Sequence, residues 1–366
     1  MTKRGGRGAV GETVDDDEGA LLDAELAVHL AGGNTRDLAT LRQLAGGGDD
    51  WLDAEPADWR ALGWPRRWVR RVAPWRNRVA LDHERRRVRR LGARLVGRRS
   101  PDWPARLDEL PFPPIALSVR GRWPPPERAV AVVGARAATP VGRLTAARLG
   151  AAAAGCGVAV LSGLARGVDC AALQAAGDGG GWALGVLGCG LDVVYPPENV
   201  GLQEQMAREG TVMSEFPLGT QPGRWTFPRR NRILAALAEV VVVVEAGRRS
   251  GALITAGHAL EMGREVWAVP GALDCPQAEG TNRLLFDGAQ PLVDPASLPE
   301  MLGLAAAPDA PAPGDPLLAT LGHRALTADE LAAETERPAR EVRSRLIALE
   351  LEGRVVRTGG GRWVLR

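Results

Sequence analysis

Lysine is almost missing from this 366-residue chain: Lys3 is the one example, although 46 residues are basic. A Walker-type phosphate loop needs a lysine that reaches the β- and γ-phosphates, so a P-loop ATPase is excluded. Schiff-base chemistry and a lysine general base go with it. The arginine preference reads more as genomic G+C bias than as selection for bidentate contacts. Cysteine is sparse too. Cys156, Cys170, Cys189 and Cys275 show no CxxC spacing, which speaks against a zinc site and a disulfide framework. A secretory leader pattern and a long apolar run are also missing, so the expected location is cytoplasmic, with no membrane partner.

What is present points to two or three soluble domains. The net charge of +2 hides an uneven distribution. Residues 1–59 carry five basic and thirteen acidic side chains, whereas residues 60–99 carry fifteen arginines against Asp82 and Glu84. That asymmetry calls for an anionic partner for part of the chain. Residues 1–18, Gly-rich and then acidic, are expected to be a disordered lead. Residues 19–95 read as a small all-α domain, with Leu22, Leu26 and Leu30 at four-residue spacing. Its later part interleaves Trp68 and Trp75 with arginines. Two readings stand side by side: a nucleic-acid surface, or a solvated arginine face with the tryptophans turned into a core.

Residues 96–300 alternate strand, glycine turn and helix, beginning with Ala129–Val133, so an α/β, doubly wound parallel sheet is expected. The run Glu239–Glu245 is β-branched throughout, as a strand buried on both faces requires. Phe227–Arg232 is expected to lead into a helix over Ile233–Ala238. A Pro/Ala linker follows at 301–315. Three helices and a hairpin over 316–366 predict a winged helix, the second helix opened by a capping box at Thr327-Ala328-Asp329-Glu330.

Ligands of open parallel sheets bind outside the carboxyl ends of the strands. Four glycine-bearing loops fall there: Gly134–Thr139, Ser162–Asp169, Gly188–Asp192 and Gly247–Thr255. Three of them add a hydroxyl and an arginine, which together with helix N-termini suit phosphate. GARAAT lacks the further glycines of a dinucleotide fingerprint, and Leu161 is followed by Ser162 where a ribose-binding acid belongs. A nicotinamide or flavin cofactor is therefore not expected. Glu215 and Glu245 are candidate acids without a nucleophile, metal cluster or paired carboxylate beside them. His258 reads as structural, and Asp169 as complementing the start of its helix. The site reads as built to hold phosphate, with no catalytic residue, cofactor or metal.

VVGAR, LSGLARGVD, VLGCGLDVVYPPEN, SEFPLGTQPGRWTFPRRNRILAAL, VVVVEAGRRSGALITAGHALEMGREVWAVPG and EGTNRLLFDGA resemble, in order and spacing, the DNA-processing protein A (DprA or Smf) family. The likeness runs from about Trp103 to Val293. It departs at Trp103 and Ser118, where the family usually has Tyr. The resemblance implies an extended Rossmann-like domain that binds single-stranded DNA, preceded by a SAM-like or helix-hairpin-helix module. It further implies protection of incoming strands in natural transformation, loading of the RecA recombinase and a homodimer. The phosphate-binding candidates it carries across are Gly134, Arg136, Ser162, Gly163, Arg166, Arg229, Arg230, Asn231, Arg232, Ser250, Gly251 and Thr255. Arg136 and the Arg229–Arg232 cluster are expected to form one electropositive pocket. Trp225 and Phe227 are candidates for stacking a base, with a core role for Phe227 as the alternative. Arg340, Arg343 and Arg345 are candidate duplex DNA contacts, or else part of a solvated helix ladder. The competing function is a nucleotide phosphoribohydrolase on a related fold, which carries a catalytic Glu in PGGxGTxxE; here GRRSGALITAGHALE has no Glu near Thr255.

Overall fold

The computed structural model describes residues 21–304, 316–322, 324–351 and 353–365. The acidic lead and the Pro/Ala stretch at 305–315 lie outside the described residues. The chain divides into two compact units. One runs to Trp103 and includes Phe112–Val119; the other holds Pro104–Pro111 and everything from Arg120 onward.

The first unit contains helices α1 (Asp23–Leu30), α2 (Thr35–Leu44), α3 (Pro56–Ala61), α4 (Arg66–Val72) and α5 (Arg78–Arg90). Asn34 opens α2 with a reciprocal box, its side chain accepting from the Asp37 amide while Asp37 accepts from its own, both at 3.0 Å. Trp51, Trp59, Trp64 and Trp68 are buried in one core with Leu26, Leu41 and Leu81, and Trp75 packs against it. The rings of Trp59 and Trp64 stack at 5.0 Å. The tryptophans are thus core residues, and the arginines between them face outward. The helical pattern stops earlier than expected: Gly92 at φ +66 ends it, and Ala93–Gly97 is a strand, β1, neighbouring β2 (Ala116–Gly121).

The second unit is built on a parallel sheet. Its centre is β3 (Ala129–Val133), from which the chain steps outward through α6 (Pro140–Gly155), β4 (Ala159–Ser162), α7 (Val168–Asp178), β5 (Ala183–Val186), α8 (Val200–Glu209) and β6 (Thr211–Ser214). Helix α9 (Thr226–Leu237) then carries it back to lay β7 (Val240–Val243) on the other side of β3, in register from Val130↔Val240 to Val133↔Val243. Helix α10 (Gly251–Glu261), β8 (Glu265–Ala268), α11 (Glu279–Phe286), β9 (Gln290–Pro291) and α12 (Leu298–Met301) complete it. The strand order is β6-β5-β4-β3-β7-β8-β9, the doubly wound topology. Every residue of β3 to β7 is buried, which is why these strands are apolar runs and not alternating ones. The loops after β3 and β7 part in opposite directions, and that divergence opens a crevice.

One boundary is corrected. Helix α9 starts seven residues before Ile233, so Phe227–Arg232 are helical. Pro228 sits in its first turn, where proline costs no hydrogen bond.

At the end of the chain, α13 (Pro316–Leu321), β10 (Leu326–Thr327), α14 (Ala328–Glu334), α15 (Ala339–Leu351), β11 (Val355–Arg357) and β12 (Arg362–Leu365) form a winged helix. Its three-stranded antiparallel sheet, β10-β12-β11, packs with Leu317, Leu321, Leu331, Val342, Leu346, Leu349 and Trp363 in a core of its own. The capping box at Thr327 is formed, Thr327 N donating to Glu330 Oε2 at 2.7 Å and Glu330 N to Thr327 Oγ1 at 3.2 Å. Among the described residues no helix is long and apolar enough to cross a membrane.

Candidate functional site

The crevice between the β3 and β7 loops holds a cleft of about 280 Å³. Gly134, Arg136, Phe227, Arg230, Asn231, Ser250, Gly251 and Thr255 line it, with Leu234 and Ile254 as an apolar wall. A smaller recess of about 20 Å³ adjoins it, lined by Gly163, Arg166, Gly188, Tyr195 and, again, Arg136 and Phe227. The Arg136 guanidinium lies 4.8 Å from the centre of the Phe227 ring, a cation–π pair that makes one ridge between the two spaces. Phe227 also packs against Tyr195, ring centres 5.5 Å apart. It can come this close because residue 188 is glycine; a Cβ there would meet Phe227 Cδ1 at 2.7 Å.

The arginines of the PRRNR run do not act together. An α-helix turns about 100° per residue, so Phe227, Arg230, Asn231 and Leu234 share one face while Arg229 and Arg232 lie roughly opposite. Arg230 is 4% exposed. It donates to the carbonyls of Gly163, at 2.7 Å, and Val186, and its Nε donates to Asn231 Oδ1 at 3.1 Å. A Cβ on Gly163 would collide with that guanidinium. Burial pulls Arg230 down to about 10, against the opposing pull of Asp169, so it stays charged at neutral pH beneath the cleft. Arg229 and Arg232 both reach Glu215, whose side chain is 1% exposed: Arg229 Nε lies 3.3 Å from Oε2 and Arg232 donates to the same oxygen. Burial lowers the Arg232 pKa while Glu215 holds it up. The expected single pocket of Arg136 with all of Arg229–Arg232 is therefore corrected to Arg136 and Arg230 alone.

Other candidates fall as follows. Ser162 is fully buried and its hydroxyl donates to Val132 O at 2.6 Å; it ties β4 to β3 and offers nothing to a ligand. Arg166 is exposed and paired with Glu198. Trp225 is 61% exposed and lines neither space, meeting Phe216 edge-on at 5.6 Å. Glu245, one of the candidate acids, caps α6, accepting from Thr139 N at 2.9 Å and Thr139 Oγ1 at 2.5 Å. Asp169 does not cap its own helix. It turns back to accept from the amides of Gly163, at 3.0 Å, and Ala165, at 3.4 Å; burial pushes its carboxyl up, against the pull of Arg230 and those amides. His258 pairs with Glu261 at 3.2 Å along α10. Arg340 and Arg343 are exposed on α15, and Arg345 is half-buried there. Arg343 pairs with Asp329 at 2.7 Å, a different acid from the Glu341 and Glu350 expected of the helix ladder.

The remaining polarity converges on the start of α10. Ser250 is its N-cap, accepting from Ala252 N at 3.3 Å, and no acid stands in the first turn. Asn231 Nδ2 donates to Gly251 O at 3.1 Å, tying α9 to that turn. Thr255 is 1% exposed and lines the cleft, and its hydroxyl makes no hydrogen bond among the described residues. That oxygen is not among the buried polar atoms left without a partner, so it is open to the cleft, where an oxyanion at the helix start can accept from it. Leu234 and Ile254 went unnoticed in the sequence; their four-residue spacing from Arg230 and Ser250 becomes a signal only once α9 and α10 are placed.

Residues 94–303 match the family model described as DNA recombination-mediator protein A, and residues 304–361 match the DprA winged helix domain. Protein Smf of Synechocystis is 40% identical over 208 residues, covering 56% of this chain and 52% of that protein. Protein Smf of Escherichia coli is 39% identical over 248 residues, covering 63% and 66%. The matches thus span between half and two thirds of these relatives. DNA processing protein A from Streptococcus pneumoniae superposes with a TM-score of 0.64 at 28% identity, over 75% of this chain and 96% of that one. DNA processing protein A from Helicobacter pylori, described for its single-stranded DNA binding mode, superposes at 0.52 and 29% identity, over 56% and 94%.

Proposed function

The chain belongs to the DNA recombination-mediator protein A family, and on that premise we propose that it binds single-stranded DNA in the cleft at the start of α10. In this reading the protein shields incoming strands and helps load a RecA-type recombinase during transformation, working in the cytoplasm as a homodimer. The observation that carries it is the open N-terminus of α10, with the unpartnered Thr255 hydroxyl below and the Arg136–Phe227 ridge beside it. Arg136, the exposed amides and Arg230 beneath supply charge for the phosphodiester, and Phe227 a face for a base. Gly134, Gly163, Asn231, Ser250, Gly251 and Thr255 shape or line this cradle. Arg166 stands at its recess. Arg340, Arg343 and Arg345 of the winged helix are proposed contacts for duplex DNA.

The second reading, a nucleotide hydrolase, draws on Asp169, a buried carboxyl that lines the cleft. Against it, two loop amides and the charge of Arg230 occupy Asp169, and GRRSGALITAGHALE has no Glu near Thr255 where such hydrolases carry theirs, so a binding protein without catalysis is the better fit. Gel shifts with single-stranded DNA, duplex DNA and RNA, alongside a mononucleotide hydrolysis assay, separate the two. Preference for single strands, little dependence on sequence and a slope of log K against log salt of roughly −3, for about four neutralised phosphates, are expected. A flat salt response, or base release, would overturn the proposal.

A further inference from the structure

Several arginines of the first unit are neutralised by carboxylates. Arg42 pairs with Asp49 at 2.6 Å, Arg76 with Glu55 at 2.7 Å, Arg85 with Asp23 at 2.8 Å, Arg94 with Asp102 at 3.2 Å and Arg99 with Glu25 at 2.8 Å. Helix α4 departs from this pattern. Its sequence, RRWVRRV, holds four arginines and no acid. Arg66, Arg67 and Arg70 are exposed and form no ion pair among the described residues. Trp68, Val69 and Val72 are buried in the core on the other side, so the arginine face is held rigidly outward. At spacings of three and four residues the guanidiniums stand beside one another. Arg71 lies over the Trp68 ring at 5.1 Å and closes the row. Three like charges on one short face, without counter-ions among the described residues, repel one another.

We infer that the outward face of α4 is a second nucleic-acid contact, gripping the phosphodiester backbone through Arg66, Arg67 and Arg70. It reads charge and not sequence, because the tryptophans that alternate with these arginines are locked in the core and unavailable to bases. An anionic protein or a lipid surface would need apolar anchors beside the charge, and the exposed positions of α4 are all arginine.

The test uses the full chain with R66Q/R67Q/R70Q, the matching R66K/R67K/R70K, and R136A as a separate marker of the cleft. Fluorescence anisotropy with a single-stranded oligonucleotide and a duplex is followed across a salt series, and vesicles of anionic and zwitterionic phospholipid serve as the competing partner. The glutamine variant is expected to lose roughly two units of slope in log K against log salt, about 0.7 for each of three contacts on a single strand, with at least a roughly tenfold loss of affinity at low salt. The lysine variant keeps the charge and should keep the slope. Unchanged slopes on both nucleic acids, failure of lysine to rescue, or lost vesicle binding with DNA binding intact would each overturn the inference. If R136A has no effect while the glutamine variant does, the cleft reading fails and this one stands; the reverse result sinks this one alone.

Discussion

Two helices begin at the same edge of the sheet, and they treat their free amides differently. Helix α6 is sealed from within: Thr139 caps it, accepting from Gly142 N at 3.0 Å, and the Glu245 carboxylate lies against that first turn. Helix α10 has only the neutral Ser250 at its start, no acid in its first turn, and a Thr255 hydroxyl without a protein partner among the described residues one turn in. Both ends carry the same partial positive charge. At α6 the chain provides the anion itself; at α10 it leaves the place open. A glycine-rich strand-to-helix turn is therefore weak evidence for a phosphate site until the fate of its amides is known.

The comparison can be broken at several points. The largest effect is expected from Arg230→Ala, which leaves Asp169 without its charge partner and two carbonyls unpaired beneath the open helix. A buried acceptor that loses its donor typically costs about 1–3 kcal/mol, so urea unfolding should show a loss of about 3 kcal/mol together with lost DNA binding; a stable variant that still binds would show that the cleft does not depend on its floor. Glu245→Ala unseals α6. A cost of about 1–2 kcal/mol in unfolding is expected with single-strand affinity intact, and a marked loss of affinity would mean that the sealed end also belongs to the site.

Thr255→Val removes the waiting hydroxyl at constant shape. Roughly fivefold weaker DNA binding, about 1 kcal/mol, should come with nearly unchanged stability, since the hydroxyl makes no hydrogen bond within the described residues. Equal affinity would leave α10 no more a phosphate site than α6. The smallest effect belongs to the winged helix, where Thr327→Ala should cost about 0.5–1 kcal/mol, read in its own melting. There the Thr327 amide and hydroxyl hold the Glu330 carboxyl below its ordinary value of 4.5. A depressed carboxyl stabilises above its unfolded value, so the contribution of the box is present above about pH 4.5 and fades as the pH falls through the folded value. The variant keeps the amide of residue 327, the larger of the two contacts, so it should weaken that acid dependence only in part, with single-strand binding by the cleft unaffected.

Much of the architecture was legible along the chain. The apolar runs Ala129–Val133 and Val240–Val243 mark strands covered on both faces, and glycine turns followed by alanine-rich segments mark the crossovers. The capping box at Thr327 was readable because it lies within four consecutive residues. Less legible was the start of α9, where Pro228 looks like a stop and is instead a first-turn residue. β10, two residues long, has no pattern of its own and exists through pairing with β12.

By itself, then, the amino-acid sequence determined the order of strands and helices, the loops that meet at the carboxyl edge, and the family motifs, because each depends on local propensity or on patterns of burial with a short period. The tertiary structure alone decided which candidates face a ligand. The period of α9 sends Arg230 to the cleft and Arg229 and Arg232 to Glu215; Ser162 is consumed by Val132, thirty residues away; Glu245 fills one helix end and leaves another open. A charge or a hydroxyl is available only if the fold brings it no partner, and partners distant in the chain are chosen by packing.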